Sequence, residues 1–136
     1  MNKSMFKLFI ILFSLAFIII NCNSVESKST DKIDINFLIK EWKRSFEEET
    51  DSVQIFRPSD YKEFPPARFR QTYDFMEDYT CKYLVLSPND AHYFEEGTWR
   101  YDSENKILEI TTSQNNIVIK YRITNLSEDL LTMISF

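Results

Sequence analysis

The side chains best suited to acid–base or metal chemistry come together at Asp90-Ala91-His92, which contains the single histidine of the chain. Residues two apart point to the same side of an extended strand, so this carboxylate and imidazole could form a hydrogen bond. Catalysis would also need a nucleophile or a water molecule, and a metal would need further ligands. No H-E-x-x-H or G-x-S-x-G motif accompanies the pair. Because Asp90 follows Ser87-Pro88-Asn89, we predict a turn. A catalytic pair and a metal site are the alternatives, and we predict no enzyme activity, metal or cofactor.

Acidic residues cluster at Glu47-Glu48-Glu49 and Asp51, without the spacing or the glycine of an EF-hand calcium loop. We therefore predict a solvated hairpin tip. A second acidic pair, Glu95-Glu96, consists of neighbours in the chain. In a strand these two carboxylates face opposite sides, which argues against a paired-carboxylate site.

The chain has two cysteines, Cys22 and Cys81. Cys81 lies in the apolar stretch 79–86, which predicts a buried, unreactive thiol rather than a nucleophile. Cys22 follows two lysines, Lys3 and Lys7, and an apolar stretch over residues 8–20. That stretch has the length of a signal-peptide core, and at about 1.5 Å per residue it covers only about 20 Å of a hydrocarbon layer about 30 Å thick.

A cysteine at the end of such a leader resembles the lipobox of bacterial lipoproteins, whose thiol is acylated and which becomes the mature N-terminus. Asn21 and Ile19 replace the usual small residue and leucine. The resemblance implies a signal peptide over residues 1–21, lipid on Cys22 and membrane anchoring in the cell envelope, either periplasmic or surface-exposed. An ordinary cleaved signal and an uncleaved anchor are the alternatives.

Charge limits the choice of partners. The chain carries a net charge of −5, and residues 1–21 contain two lysines and no acid, so the remainder holds 14 Lys and Arg against 21 Asp and Glu, a net charge of −7. An acidic chain without a basic stripe argues against nucleic-acid binding. Attraction to anionic lipid headgroups is equally disfavoured, so we expect the membrane contact to come from lipid on Cys22.

Residues 22–32 are polar and lack aromatics, which predicts a flexible tether, followed by one domain over 33–136. In this domain apolar and polar residues alternate with period two, as in half-buried antiparallel strands, and polar turns separate the runs. Phe69, Gln71, Tyr73 and Phe75, for example, share one face. The single glycine, Gly97, is predicted to mark a bend or bulge. We predict eight strands, at 39–47, 53–57, 67–76, 79–87, 92–101, 106–113, 117–125 and 129–136, although residues 37–42 would also suit a short helix.

Short gaps between these strands favour an all-β, antiparallel up-and-down meander that rolls into a barrel or a strongly curved sheet. The C-terminal half contains Gly97-Thr98-Trp99, then Leu108-Glu109-Ile110, then the stretch 121–133 with Ile123, Leu126 and Leu130. This rhythm resembles the small lipocalin-like domains of bacterial lipoproteins, in which Trp42 could match the tryptophan of the first strand. The resemblance implies a barrel over about 36–136 that is filled by side chains or holds one small ligand.

The stretch 57–70 contains three of the four prolines, which excludes a central strand and predicts a stiff loop across one end of the barrel. Its arginines either meet an anionic ligand group or pair with some of the acids. Aromatic residues of the barrel would form the wall of a ligand site. The candidate ligand-binding residues are Trp42, Arg57, Arg68, Phe69, Arg70, Tyr73, Phe75, Trp99 and Tyr121.

Two functions are consistent with these features. The first is a non-enzymatic envelope lipoprotein that binds a small apolar or amphipathic ligand in its barrel. The alternative is a solid barrel whose acidic surface meets an envelope protein.

Overall fold

The structure, a computed structural model, describes residues 32–89 and 91–136. The predictions for the leader, for Cys22 and for Asp90 therefore lie outside the described residues. The described chain contains eight strands and two short 3₁₀ helices, at Ile35–Leu38 and Phe46–Glu48. The strands are β1 Glu41–Arg44, β2 Gln54–Pro58, β3 Thr72–Phe75, β4 Thr80–Leu86, β5 His92–Asp102, β6 Ile107–Thr112, β7 Val118–Leu126 and β8 Leu131–Ser135.

All neighbouring strands are antiparallel, and the sheet closes into a barrel in the order β1-β2-β8-β7-β6-β5-β4-β3. The all-β, eight-stranded barrel predicted from the alternation is thereby confirmed. From β3 to β8 each strand pairs with the next in sequence. Strand β1 lies between β2 and β3, so the chain must pass over β1 to reach β3.

The two ends of the barrel differ. At the end that we call lower, β1 begins and β2 ends. At the end that we call upper, β1 ends and β2 begins. The 3₁₀ helix Ile35–Leu38 lies at the lower end, where Leu38 is fully buried and its carbonyl oxygen accepts a hydrogen bond from Trp42 Nε1 at 3.0 Å. The strand predicted at 39–47 is shorter, at Glu41–Arg44, and is followed by the 3₁₀ helix Phe46–Glu48, while the short helix considered for residues 37–42 lies earlier, at Ile35–Leu38.

The interior is built from the alternate side chains of each strand that point into the barrel. Strand β7 shows the pattern clearly, with Tyr121, Ile123 and Leu126 buried and the residues between them exposed. Cys81 belongs to this interior and is 1% exposed, which confirms the prediction of a buried thiol. Burial raises the pKa of that thiol to about 11. The core side chains are Leu38, Trp42, Phe56, Tyr73, Phe75, Cys81, Tyr83, Trp99, Leu108, Ile110, Tyr121, Ile123, Leu126, Leu131 and Met133.

Gly97 allows two strands to approach closely. A Cβ added there would lie 2.6 Å from the Thr111 carbonyl oxygen, a distance that real Cβ atoms do not adopt. Gly97 pairs with Cys81 on one side and Thr112 on the other in unbroken register. In the described strands the register shift lies instead between Ile123 and Asn125 of β7, so Gly97 marks no bulge, and the bend that was the other alternative stays a prediction.

The proline-rich segment 59–71 connects β2 to β3 along the outside of β1. Near the lower end the Ser59 amide donates to the Glu41 carbonyl oxygen at 3.1 Å, and near the upper end Arg70 Nη1 donates to the Arg44 carbonyl oxygen at 2.7 Å. The segment therefore runs the height of the barrel, whereas the sequence predicted a loop across one end. We call it the strap.

The acidic residues of the β1–β2 loop hold the strap in place. Glu47 binds Arg70 at 2.7 Å, and Glu48 binds both Arg57 at 2.8 Å and Lys62 at 3.1 Å. The Arg70 guanidinium also lies between two rings, 5.3 Å from the centroid of Phe46 and 5.2 Å from that of Phe64. The predicted solvated hairpin tip is therefore an ion-paired docking point, because the strap brings its cations to these carboxylates.

Candidate functional site

The upper end of the barrel places polar groups on the inward-facing side of the strands. Gln54 lies opposite buried Met133, and Tyr73 lies opposite Tyr83, so all four residues face the interior. Glu95 lies opposite Tyr83 in the β4–β5 ladder and faces the same way. We call these inward-facing upper residues the mouth: Gln54, Gln71, Tyr73, Tyr83, Glu95 and Tyr121.

Two tyrosine hydroxyls meet at the centre of the mouth. The oxygen atoms of Tyr73 and Tyr121 lie 2.8 Å apart, and the Gln71 amide Nε2 donates to both hydroxyls, at 3.1 Å in the case of Tyr121. Burial raises the pKa of Tyr73 well above its ordinary value, with the Tyr121 hydroxyl as a further cause. Tyr73 therefore stays neutral near pH 7 and can donate or accept a hydrogen bond.

Gln54 brings an unsatisfied polar group to the mouth. Its Oε1 atom is buried and has no hydrogen-bond partner in the described part of the chain. Its Nε2 atom makes a long contact of 3.5 Å with Ser135 Oγ. Reversing the amide would leave the nitrogen without a partner instead, so one polar atom stays unpaired in either orientation. A buried amide atom without a partner costs about 1–3 kcal/mol, which a ligand could recover.

A carboxylate with two tyrosines lies on the β4–β5 side of the mouth. The Tyr83 hydroxyl donates to Glu95 Oε2 at 2.6 Å, and the nearby Glu95 also raises the pKa of Tyr93. Burial, followed by the hydrogen bond to Glu95, raises the pKa of Tyr83 to about 12. Both tyrosine hydroxyls therefore stay protonated around the Glu95 carboxylate near pH 7.

Apolar side chains extend above this carboxylate. Tyr93 lies opposite Val85, in the same inward phase as Tyr83, and its side chain is 43% exposed. Across the mouth, Ile119 lies opposite buried Ile110, and Ile117 at the start of β7 is 54% exposed. The mouth is therefore two-sided. The amides of Gln54 and Gln71 lie on the β2 and β3 side, and the apolar side chains of Val85, Ile117 and Ile119 lie on the β4 and β7 side.

Five of the predicted ligand-binding residues line the interior. Trp42, Tyr73, Phe75, Trp99 and Tyr121 are all buried. The ring centroids of Tyr73 and Phe75 lie 5.6 Å apart, and those of Phe75 and Trp99 lie 5.8 Å apart in an edge-to-face arrangement. Below the mouth these rings pack against one another as a core, and only Tyr73 and Tyr121 present polar groups to the mouth.

The other four predicted residues lie on the strap or on the outer side of β2. Arg57 binds Glu48 and Arg70 binds Glu47, so these two arginines pair with acids, which is one of the two roles that the sequence left open. Phe69 precedes β3, and its ring stacks on exposed His92 with centroids 6.2 Å apart. Since the strand begins only at Thr72, Phe69 does not share the face of Tyr73 and Phe75.

Arg68 and His92 meet where the strap passes the start of β5. The Arg68 carbonyl oxygen lies 2.7 Å from His92 Nε2 and forms a hydrogen bond with it. His92 therefore anchors the strap to the start of β5. The predicted partner of His92, Asp90, lies outside the described residues.

Sequence reasoning missed Gln54, Gln71, Tyr83 and Glu95 as site residues. A signal existed for two of them, because Gln71 falls in the same phase as Tyr73, and Glu95 falls in the same phase as Trp99. A polar residue in the inward phase of a barrel strand is unusual, and it marks a place where the core is not purely apolar. Gln54 carried no such signal, since β2 is short and has no clear alternation.

A second concave surface lies outside the barrel. A groove of about 500 Å³ separates the strap from the outer side of β4 and β5, with Phe64, Pro65, Leu84 and Phe94 on its walls. The basic residues at its edge are engaged, as Lys43 lies 3.6 Å from Glu41 and Lys62 and Arg70 bind the acidic loop. This groove offers apolar contact and fewer available hydrogen-bonding groups than the mouth.

Within residues 32–89 and 91–136, no three His, Cys, Asp or Glu side chains are grouped so that they could hold a metal ion. Across the same residues no helix is long and apolar enough to cross a membrane. Comparison with protein-family models, curated proteins and solved structures finds no match to this chain.

Proposed function

We propose that the protein is a non-enzymatic, lipid-anchored protein of the cell envelope whose barrel binds a small amphipathic ligand at its mouth. The observation that carries the proposal is the buried Gln54 amide, which lacks a full set of partners at the one end of the barrel where inward-facing groups are polar. A ligand that donates a hydrogen bond to Gln54 would recover the cost of burying that group.

The chemistry of the mouth favours binding over reaction. The hydroxyls of Tyr73 and Tyr83 have a raised pKa, so they are poor bases and poor nucleophiles near pH 7. In their neutral form they can orient a polar group by hydrogen bonds. The apolar residues Val85, Tyr93, Ile117 and Ile119 supply contact area for the other part of an amphipathic molecule.

Support for the envelope location comes from the sequence alone. The leader over residues 1–21 and its resemblance to a lipobox place the proposed lipid on Cys22. Growing cells with a labelled fatty acid tests this directly, because the label should enter the wild-type chain and be absent from Cys22→Ala. Equal labelling of both chains would exclude Cys22 as the acylation site.

Native mass spectrometry of the full chain, extracted gently from its own membranes, tests the ligand. We expect a reproducible small-molecule adduct that disappears on denaturation, and whose mass identifies the occupant. Gln54→Met should lose the adduct, while Gln114→Met, an exposed change of the same kind, should keep it. A bare mass for the wild-type chain would instead favour the protein-interaction module with an acidic surface.

A further inference from the structure

The mouth carries a carboxylate that is not used by the ion pairs of the acidic β1–β2 loop. In those pairs Glu47 binds Arg70, Glu48 binds both Arg57 and Lys62, and Glu49 binds Arg44. Glu95 belongs to none of them. Glu95 instead faces the barrel interior, with the Tyr83 hydroxyl 2.6 Å from its Oε2 atom.

The surroundings of Glu95 combine negative charge with aromatic and apolar surface. Tyr83 is 8% exposed and forms a floor, while Tyr93 is largely open and stands above it in the same phase. The face of a tyrosine ring carries partial negative charge and attracts cations, most strongly those that shed water readily. Val85, opposite Tyr93, adds an apolar wall.

The basic group on the other side of the mouth is neutralised. Arg44 Nε and Nη2 bind the two oxygens of Glu49 at 2.7 and 3.0 Å, and its Nη1 lies 3.4 Å from Gln71 Oε1. An anionic ligand would therefore meet the Glu95 carboxylate without a matching cation from Arg44. A cationic ligand would meet an attractive charge.

We propose that the mouth binds an organic cation, an ammonium group bearing an apolar chain, with the charge on Glu95 between Tyr83 and Tyr93. Its chain lies against Val85, Ile117 and Ile119, and its substituents approach the amides of Gln54 and Gln71. This inference rests on the proposed ligand-binding function and names its ligand class.

The neighbouring glutamate provides a matched control. Glu95 and Glu96 are adjacent, and the register places Glu95 opposite inward Tyr83 and Glu96 opposite outward Lys82. Glu95→Gln and Glu96→Gln therefore change net charge equally, and only the first removes charge from the mouth. Glutamine at position 95 can still accept the hydrogen bond from Tyr83, so its fold should persist.

The test is an NMR titration of the full chain in lipid nanodiscs, with empty nanodiscs as the reference. The probes are hexylammonium, 1-hexanol and hexanoate, which share one chain and differ in charge, and the ammonium N–H groups can also donate to Gln54. We expect the cation to bind the wild-type chain about tenfold more tightly than hexanol, and hexanoate to bind most weakly. Glu95→Gln should bring the cation and the alcohol to equal affinity, and Glu96→Gln should keep the tenfold preference.

A second variant tests the aromatic contribution. Tyr93→Leu should weaken binding of the cation about threefold to tenfold and leave that of hexanol within about twofold. If hexanol binds as tightly as the cation to the wild-type chain, the barrel still binds ligands and the cation assignment is overturned. If none of the three probes binds, both the proposed ligand-binding function and the cation assignment fail. Equal loss of cation binding in Glu95→Gln and Glu96→Gln would also overturn the site, since it would show a general effect of net charge.

Discussion

The Tyr73 and Tyr121 hydroxyl oxygens lie 2.8 Å apart inside the barrel, although the two residues are 48 positions apart in the chain. Gln71 donates to both, so three polar side chains, from β3, from β7 and from the end of the strap, satisfy one another at the boundary between the apolar core and the mouth. Such a buried network stabilises only when each member keeps its partners.

Removing one member of this network should destabilise the fold. Tyr121→Phe keeps the ring but leaves the Tyr73 hydroxyl and the Gln71 amide with fewer partners. We expect the free energy of unfolding in urea to fall by about 1–2 kcal/mol. Tyr79→Phe is the matched control, because Tyr79 is 63% exposed and its hydroxyl faces no such network. An unchanged midpoint for Tyr121→Phe would show that the hydroxyl pair contributes nothing to stability.

Alkaline conditions should weaken the barrel. Burial raises the pKa of Cys81 from 9.0 to about 11 and that of Tyr83 from 10.0 to about 12, so the unfolded chain loses these protons first. The stability they contribute is fully present below pH 9 and declines as pH rises from 9 to 12. Urea midpoints at pH 8, 10 and 11 should fall in that order. In Cys81→Ala the urea midpoint should fall less between pH 9 and pH 10 than it does in the wild-type chain.

Acid should release the strap. Hydrogen bonding to Arg70 lowers the pKa of Glu47 to about 2, and hydrogen bonding to Arg57 lowers that of Glu48 to about 2, both from 4.5. These ion pairs therefore stabilise the strap fully above pH 4.5 and are lost as pH falls towards 2. Pepsin, which cuts beside aromatic residues, should cleave within 59–71 much faster at pH 2.5 than at pH 4.5.

A pair of glutamate variants separates this effect from the pH dependence of pepsin itself. At pH 4.5, Glu48→Gln should already show fast cleavage in the strap, because Arg57 and Lys62 lose their charged partner. Glu63→Gln changes an exposed glutamate of the strap and should be cleaved like the wild-type chain. Similar cleavage of all three chains would contradict a docking role for Glu48.

Gly97 should not tolerate a side chain. In Gly97→Ala the new methyl group would lie 2.6 Å from the Thr111 carbonyl oxygen, so β5 and β6 would have to move apart. We expect a loss of about 2 kcal/mol, in the range of overpacked cores. Thr98→Ala, an exposed change on the next residue, should stay within about 0.5 kcal/mol of the wild-type chain. Thermal melts of the three chains decide between these outcomes.

Sequence alternation predicted the strands well because most of them bury one face only. Strand β7, predicted at 117–125, is found at Val118–Leu126, and Tyr121 and Ile123 are buried on one face as the alternation predicts, while Leu126 is buried beyond the register shift. The position of β1 between β2 and β3 could not be predicted in this way, since alternation records which face is buried and not which strand lies next to it. The ion pairs between the strap and the acidic loop depend on that position, because only a strap over β1 brings Lys62 and Arg70 to Glu48 and Glu47.

The candidate site was predicted in part. Aromatic residues such as Phe75 are predicted to form the wall of a ligand site, and the structure uses them as packed core. The mouth depends instead on polar residues in inward positions, such as Gln54 and Glu95. Their role could not be read from composition, because a glutamine or a glutamate in a strand faces solvent in most proteins.

The order of the ring also bears on how the chain folds. Strands β3 to β8 can form by successive local hairpins, whereas the β1–β2 hairpin must be inserted between β3 and β8, which lie far apart in sequence. Such non-local closure is slow, so we expect the last step of folding to be the docking of this hairpin as a wedge. A chain cut within the strap would then form two fragments that reassemble on mixing, and the rate of that reassembly would report the closure step directly.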